Sequence, residues 1–197
     1  MPQTLNKNWW LLGLYGILNA IISAIYLVMQ RTDGPVLFHT WGRTIVFEGQ
    51  LAIAAGVCAM AAGIWRAGTG KSWALALNGL ALAVLGVIQY GFTHLRISII
   101  TFAFLIIVMA ISSAVVELRM AQRFRRERYY VDSWFFGLAG ALSVAFVLPS
   151  VALAQYWIPI SRGSHLDLLW LGSYFGFTAI CTMALAVRCY RQHAASI

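Results

Sequence analysis

Apolar residues fill long stretches of this chain, and its polar residues are gathered into short segments between them. Six mainly apolar stretches cover approximately residues 9–30, 45–65, 73–93, 97–118, 133–157 and 166–187. A helix needs about 20 such residues to cross roughly 30 Å of hydrocarbon, whereas a membrane β-strand alternates apolar and polar positions. The pattern therefore predicts an all-α integral membrane protein with six transmembrane helices, in a single transmembrane domain over residues 1–197.

The composition agrees with this pattern. The chain is 61% hydrophobic and only 10% charged, whereas a soluble domain has about 25% charged residues. Its first apolar stretch is longer than the core of about 7–15 residues found in a cleaved signal peptide, so we expect an uncleaved first helix. Three cysteines among 197 residues do not make a disulfide framework.

Positive charge is unevenly distributed between the two sides of the predicted bundle. Ten of the 14 Lys and Arg residues lie at the N-terminus, in the second and fourth loops, and at the C-terminus. Cytoplasmic loops carry the excess of Lys and Arg in membrane proteins. We therefore expect a multi-pass membrane protein with both termini in the cytoplasm, and the net charge of +8 gives no argument for nucleic acid as a partner.

A short pattern, Trp-x5-Gly, opens the first, third and fifth predicted helices. The three copies are 63 and 61 residues apart and consist of Trp10 and Gly16, Trp73 and Gly79, and Trp134 and Gly140. Tryptophan favours the membrane interface, and glycine allows helix backbones to approach closely. The repeat predicts three helical hairpins at approximately 9–66, 72–119 and 133–188. A further pair, Gly172 and Gly176, predicts another close helix contact.

Six helices in hairpins that open with Trp-x5-Gly resemble the HdeD-like acid-resistance membrane proteins of bacteria. The resemblance covers nearly the whole chain and implies an inner-membrane protein of acid or general stress without established enzymatic chemistry. It transfers no site residues. In two respects the chain departs from the pattern: its first outer loop, residues 31–43, is long and polar, and its first helix lacks a terminating proline.

Two carboxylates in or near the predicted spans are candidate titrating groups. Glu48, placed about one turn into the second helix, shares a face with Ala52, Ala55, Gly56, Ala59 and Gly63. Ionisable groups in spans usually face the bundle or a water-filled space, so Glu48 is either a packing group or part of a proton or ion path. Asp167 is expected to cap the start of the sixth helix. It also heads a polar stripe of Tyr174, Thr178 and Cys181 that has the spacing to line a cavity. Glu117 is interpreted as a surface charge.

The other candidates lie in predicted loops. His39, His94 and His165 fall one in each outer loop, where they are either solvated or form a pH-sensing group. A metal site is the third alternative, although no zinc-ligand spacing is present. The predicted cytoplasmic loop contains five arginines, for which we predict contact with anionic lipid headgroups: Arg119, Arg123, Arg125, Arg126 and Arg128.

The sequence therefore predicts a non-enzymatic HdeD-like membrane protein acting in stress or membrane homeostasis, with no cofactor. Two alternatives remain. One is a small channel or transporter for protons, ions or a solute, with a polar path near Glu48 and Asp167 that includes Asn19, Asn78 and Gln89. The other is an accessory subunit of a larger membrane complex; a homo-oligomer is also compatible with the pattern.

Overall fold

We describe the protein from a computed structural model. The backbone is described for residues 7–31, 37–65, 71–91, 99–148, 151 and 160–194, and side chains for residues 7–29, 46–65, 71–90, 104–148, 151 and 169–194. Within these ranges the chain is helical and contains no strand. The helices are α1 (Trp9–Arg31), α2 (Leu37–Ile64), α3 (Trp73–Gly91), α4 (Ile99–Arg126), α5 (Tyr130–Ala145) and α6 (Ile160–Ala194).

Five of these six helices are long and apolar enough to cross a membrane. The prediction of helical spans is confirmed to that extent. The described part of α5 has 16 residues, which is about 24 Å of helix at 1.5 Å per residue. The later part of the fifth predicted span, from residue 149 onward, lies almost wholly outside the described residues, so six spans are not established.

Several helices extend beyond their apolar stretches. α2 begins at Leu37 and not near residue 45, α4 continues to Arg126 and not to residue 118, and α6 begins at Ile160. Apolar windows find only the part of a helix that matches the hydrocarbon, because a helix can continue into the polar interface. These extensions change the positions of several candidate residues relative to the helix ends.

The helices form a ring in chain order. Each packs on the next, and α6 returns to α1, with the most extensive contacts between α2 and α3, α6 and α1, and α4 and α5. The predicted hairpins instead joined α1 to α2, α3 to α4, and α5 to α6. Close packing thus occurs across the boundaries between the predicted repeats, and the threefold repetition of hairpins remains a prediction.

Small residues explain the close contact between α2 and α3. Gly56 faces Gly79, and about two turns away Gly49 faces Gly86; a Cβ atom added to Gly79 would lie 2.5 Å from the Gly56 carbonyl oxygen. No side chain fits at that distance, so glycine is required on both helices. Association in the bilayer depends on such backbone approach, because lipid supplies no hydrophobic driving force between helices.

The α1–α6 contact also depends on glycine residues, and a hydrogen bond between the helices adds to it. A Cβ atom on Gly16 would lie 2.6 Å from the Met183 Cγ atom, and one on Gly176 would lie 2.8 Å from the Ser23 hydroxyl oxygen. Ser23 donates a hydrogen bond of 2.6 Å to the carbonyl of Gly172. In the α4–α5 pair, Gly140 packs against the Leu118 side chain. Each glycine of the Trp-x5-Gly pattern thus contacts the helix before its own in the ring.

The described Lys and Arg side chains lie at one end of the bundle, which we call the basic end. It comprises the start of α1, the end of α2, the start of α3, the α4–α5 turn and the end of α6. The Asn8 amide donates to the Trp65 carbonyl at 2.6 Å, the Trp9 and Tyr190 rings meet at 4.8 Å, and Arg188 forms an ion pair with Asp132. The other end is called the opposite end.

Candidate functional site

The interior of the ring contains polar side chains from all six helices. They form two groups at different heights. The Glu117 cavity, nearer the basic end, is formed by Tyr15, Asn78, Ser113, Glu117, Thr178, Cys181 and the apolar residues around them. The Glu48 cluster, nearer the opposite end, consists of Tyr26, Glu48 and Gln89.

Glu117 is buried, with 6% of its surface exposed. The Ser143 hydroxyl of α5 donates a hydrogen bond of 2.6 Å to its Oε2 atom, and the Cys181 thiol of α6 faces the same carboxyl. The interpretation of Glu117 as a surface charge was therefore wrong. Because α4 continues to Arg126, Glu117 lies more than two turns before the helix end, on its inward face, while Arg119 points outward.

The Glu117 carboxyl lines a cavity of about 20 Å³ inside the bundle. A cavity needs about 10–15 Å³ to hold a water molecule, so this one accommodates one or two. Polar side chains of α1, α3, α4 and α6 reach this cavity, and most of the surface that faces it is apolar, with Phe136 on α5 and Leu75 on α3 among the residues that form it. A buried carboxylate, hydroxyls and an amide thus converge on a space the size of water.

Asn78 ties three helices together beside this cavity. Its Oδ1 atom accepts a hydrogen bond of 2.7 Å from the Tyr15 hydroxyl on α1. Its Nδ2 atom donates to the Met109 carbonyl at 2.9 Å and to the Ser113 hydroxyl at 2.7 Å, both on α4. Hydrogen bonds in a low-dielectric interior fix the positions of their groups strongly, so the cavity wall is held in place.

The Glu48 cluster also joins three helices. The Gln89 amide on α3 donates to the Glu48 Oε1 atom and to the Tyr26 hydroxyl, each at 3.0 Å, and Tyr26 on α1 hydrogen-bonds the same carboxyl. Glu48 is 2% exposed. It lies about three turns into α2 and not one, because that helix begins at Leu37. The Ala and Gly positions predicted to share its face are buried as well.

Several buried polar atoms have no hydrogen-bond partner. They include Asn19 Oδ1, Gln89 Oε1, Tyr174 Oη and Thr178 Oγ1. The Tyr174 hydroxyl faces Asn78 and Ser113, and the Thr178 side chain lines the Glu117 cavity. A buried polar group without a partner costs about 1–3 kcal/mol, so a ligand or water that satisfies these atoms would be stabilised there.

The remaining titratable candidates cannot be assigned to the interior. The side chains of Asp167, His39 and His165, and all of His94, lie outside the described residues. The backbone nevertheless corrects two expectations: His39 and His165 are on α2 and α6, not in loops. Asp167 is in the third turn of α6, which begins at Ile160 and has no acidic residue in its first turn, so it does not cap that helix. Of its predicted stripe, Thr178 and Cys181 line the cavity.

The predicted lipid-contacting arginines lie on the end of α4 and in the turn after it. Four of them belong to the last two turns of the helix, and Arg128 in the turn has a positive φ of 63°. Arg123 is paired with Glu127 at 2.9 Å. At the same end, Trp10, Trp73 and Trp134 are exposed, with the Lys71 ammonium 5.6 Å from the Trp73 ring. Exposed tryptophans beside basic residues are typical of a membrane interface.

Among the described side chains, no group of three or more His, Cys, Asp or Glu residues is placed to hold a metal ion. The absence of a cofactor therefore stays a prediction for the chain as a whole. None of the cysteines Cys58, Cys181 and Cys189 forms a disulfide bond.

Glu117 was not predicted as an interior residue, nor were Tyr15, Ser113 and Ser143 predicted around it. The repeat contains a signal for these positions. Tyr15 and Asn78, which are joined by a hydrogen bond, each immediately precede the glycine of a Trp-x5-Gly copy. Tyr26 and Gln89 each follow that glycine by ten residues. Equivalent positions in repeated helices therefore meet inside the ring.

Comparison with known proteins adds no identification. No family model, curated protein or solved structure matches this chain. The HdeD-like resemblance stays a prediction, and the interior of the bundle is the basis for assigning a function.

Proposed function

We propose that this protein is a small multi-pass membrane protein that moves protons across the bilayer, with Glu117 as a proton-binding group. The observation that carries the proposal is the burial of this carboxyl on the wall of a small cavity within a helix bundle. Ionisable groups are costly inside a membrane protein, and those that occur there commonly mark ion paths or proton relays. We propose no catalytic reaction for the chain.

The size of the Glu117 cavity favours protons over larger solutes. A volume of about 20 Å³ admits one or two water molecules but no organic substrate. A carboxyl group needs no additional space to take up a proton, whereas a metal ion or solute must bring its own volume. Water in the cavity would connect the Glu117 carboxyl with the surrounding hydroxyl groups, each of which can donate and accept a hydrogen bond.

The partners of Glu117 suit a group that gains and loses a proton. Ser143 donates to the carboxylate, and a hydroxyl can instead accept from the protonated acid by rotating its hydrogen. No described Lys or Arg side chain lies in the cavity wall, so no fixed cation holds the carboxyl permanently charged. The site can therefore exist in both protonation states without repacking.

Proton flux into lipid vesicles tests the proposal directly. The purified protein is reconstituted with a pH-sensitive dye inside the vesicles, and a potassium gradient with valinomycin drives proton entry. We expect flux with the wild-type chain and its loss in Glu117→Gln, a substitution that keeps shape and removes titration. Glu127→Gln, which alters a carboxylate at the exposed basic end, is the matched control. Equal flux in vesicles with wild-type protein, with Glu117→Gln and without protein would refute the proposal.

The basic end supports a proposed partner, the anionic lipid headgroup. The arginines on the last turns of α4, the exposed tryptophans and Lys71 are at one level, and each basic residue near an anionic surface contributes about 1 kcal/mol. We expect the combined substitution of Arg125, Arg126 and Arg128 by Gln to abolish any stabilisation of the detergent-solubilised protein by added phosphatidylglycerol. Equal stabilisation of variant and wild type would remove this partner.

A second part of the proposal concerns the role of the protein in the cell. A proton-conducting protein with both termini in the cytoplasm of a bacterium would act in acid or general stress or in membrane homeostasis, as the HdeD-like resemblance implies. We expect a deletion strain to survive acid shock less well than its parent, with rescue by the wild-type chain and none by Glu117→Gln. Fixed-stoichiometry co-purification with other subunits in mild detergent would instead favour an accessory subunit of a larger complex.

A further inference from the structure

We infer that the Glu48 cluster is a second proton-binding site and that buried polar side chains between it and the Glu117 cavity form the connecting path. The inference rests on the proposed function and deepens it: protons would occupy two carboxyl groups in succession, Glu48 on the opposite side and Glu117 on the basic side. The placement of the carboxyls, their hydrogen bonds, the surrounding charges and the polar atoms between them all support it.

The two carboxyl groups lie at different depths in the bundle. Tyr26, which bonds Glu48, lies 11 residues after Tyr15 on α1, and Tyr15 lines the Glu117 cavity. At 1.5 Å per residue the two groups are separated by about 16 Å along the bundle, roughly half the thickness of the hydrocarbon. Each carboxyl is therefore nearer to a different end of the bundle.

The Glu48 cluster has unused hydrogen-bonding capacity. Gln89 is 6% exposed and its Nε2 atom donates to both Glu48 and Tyr26, but its Oε1 atom has no partner. An amide donates to a carboxylate through its nitrogen and accepts from a protonated carboxyl through its oxygen. Rotation of this one side-chain amide would therefore match either protonation state of Glu48.

Within the described part of the chain, no cationic side chain lies beside the Glu48 carboxylate. Among the described side chains, the nearest titratable groups on the helices packed against it are Tyr26 on α1 and the half-exposed Tyr90 on α3. The described Lys and Arg side chains all lie at the basic end, and Glu117 is the nearest other buried carboxyl. A carboxylate with these described neighbours can be neutralised by taking up a proton.

Buried polar groups lie between the two carboxyl groups. Asn19, one turn beyond Tyr15 on α1, has a buried Oδ1 atom without a hydrogen-bond partner, and the Tyr174 hydroxyl on α6 is fully buried. Tyr174 faces Asn78 and Ser113 at the cavity. Its neighbour Phe175 stacks on Tyr26, with the ring centroids 5.8 Å apart. Buried hydroxyl and amide groups thus occupy the interval between the two carboxyls, where transient water can bridge them.

Two measurements on the full-length protein in vesicles test the inference. Infrared difference spectra recorded over a pH titration report each buried carboxylic acid through a C=O band that shifts in D₂O. We expect the Glu117→Gln protein to retain such a band and Glu117→Gln/Glu48→Gln to lose it. In the flux assay, Glu48→Gln should lower proton entry by about tenfold or more, since a positioned proton-transfer group is typically worth about 10²–10⁴-fold in rate.

A separate variant tests the path between the two carboxyl groups. Tyr174→Phe removes only the hydroxyl that faces Asn78 and Ser113 and keeps the ring, so we expect the protein to fold while proton flux falls severalfold. Phe177→Leu, three residues further along α6, is the matched control and should conduct as the wild type does. If Tyr174→Phe also conducts as the wild type does, this path is wrong.

The outcomes separate the two proposals. Wild-type flux in Glu48→Gln, together with no loss of a carboxylic acid band, would overturn the second site and leave the Glu117 proposal intact. Wild-type flux in Glu117→Gln would overturn the proposed function. If Glu48→Gln does not fold, the band that remains in Glu117→Gln decides: a band that titrates supports the inference, and its absence overturns it.

Discussion

The two buried carboxyl groups of this protein have contrasting surroundings. Glu48 lies next to the α2–α3 contact, where the backbone of Gly49 meets that of Gly86, and its hydrogen bonds join three helices in a compact cluster. Glu117 lies against a cavity and accepts a close hydrogen bond from Ser143. One bundle thus buries a carboxyl in two ways, by close packing with hydrogen bonds and beside a small cavity.

The largest effect is expected at the close contact between α2 and α3. In Gly79→Ala, the new Cβ atom would lie 2.5 Å from the Gly56 carbonyl oxygen and 2.6 Å from the Met60 nitrogen. Backbone cannot yield as a side chain can, so the helices must separate, and overpacking of this kind costs about 1–3 kcal/mol or more. The measurement is the midpoint of thermal unfolding in detergent, which we expect to fall.

The matched control for this substitution is Gly137→Ala on α5. There the added Cβ atom would meet only the Ala121 Cβ atom, at 4.0 Å, and alanine favours a helix by about 1 kcal/mol over glycine. Its unfolding midpoint should equal or exceed that of the wild type. Equal midpoints for Gly79→Ala and Gly137→Ala would show that backbone contact between α2 and α3 does not stabilise the fold.

The next effect is expected at the wall of the cavity. Asn78→Leu leaves the Tyr15 and Ser113 hydroxyls and the Met109 carbonyl without their amide partner. Each buried group left unsatisfied costs about 1–3 kcal/mol, partly offset here by water in the cavity. We expect lower stability by unfolding in detergent, together with altered proton flux, because the hydroxyls facing Glu117 lose their fixed positions.

Asn19→Leu is the corresponding control for Asn78→Leu. The Asn19 amide donates to the Tyr15 carbonyl of its own helix, at 2.8 Å, and its oxygen has no partner. Its replacement should therefore change stability less than Asn78→Leu does. A larger loss at residue 19 would contradict the assignment of Asn78 as the group that ties three helices together.

The helix contacts and the surroundings of Glu117 differ in how far the sequence predicts them. The helix contacts are predictable, because glycine has a specific physical reason to occur where helices approach. The Trp-x5-Gly spacing alone therefore predicts that Gly16, Gly79 and Gly140 lie at helix contacts, and all three do. The partner helix of each glycine could not be predicted, since spacing within a chain does not encode the order of helices around a ring.

The burial of Glu117 beside the cavity was not predicted from the sequence. Glu117 precedes Arg119 by two residues, and charged neighbours at the end of an apolar stretch usually indicate an exposed rim. The error arose at the helix boundary: α4 extends a further two turns into the arginine-rich segment, which moves Glu117 inside. Asn78 was predicted in a polar path, but the serines near Glu117 were not, because the role of a serine depends on the facing helix.

A smaller effect is expected for the direct partner of Glu117. Ser143→Ala removes the donor at 2.6 Å from the carboxyl and leaves the remainder of the cavity unchanged. A typical hydrogen bond contributes about 1 kcal/mol net, so the unfolding midpoint should fall modestly. Ser112→Ala is the control, because its hydroxyl bonds carbonyls of α4 itself. Equal midpoints for the two variants would indicate that Ser143 does not stabilise buried Glu117.

The smallest effect is expected at a third carboxylate, which is exposed at the basic end. Glu127 pairs with Arg123 four residues earlier at 2.9 Å, and the two side chains are 34% and 39% exposed. Exposed pairs of this spacing contribute about 0.3–0.5 kcal/mol. The position of Glu127 near the negative end of the α4 dipole opposes this gain. We therefore expect Glu127→Gln to leave the unfolding midpoint and proton flux at wild-type values. If it lowered flux as Glu117→Gln does, surface charge and not burial beside water would govern conduction, and the contrast between interior and surface carboxylates would no longer hold.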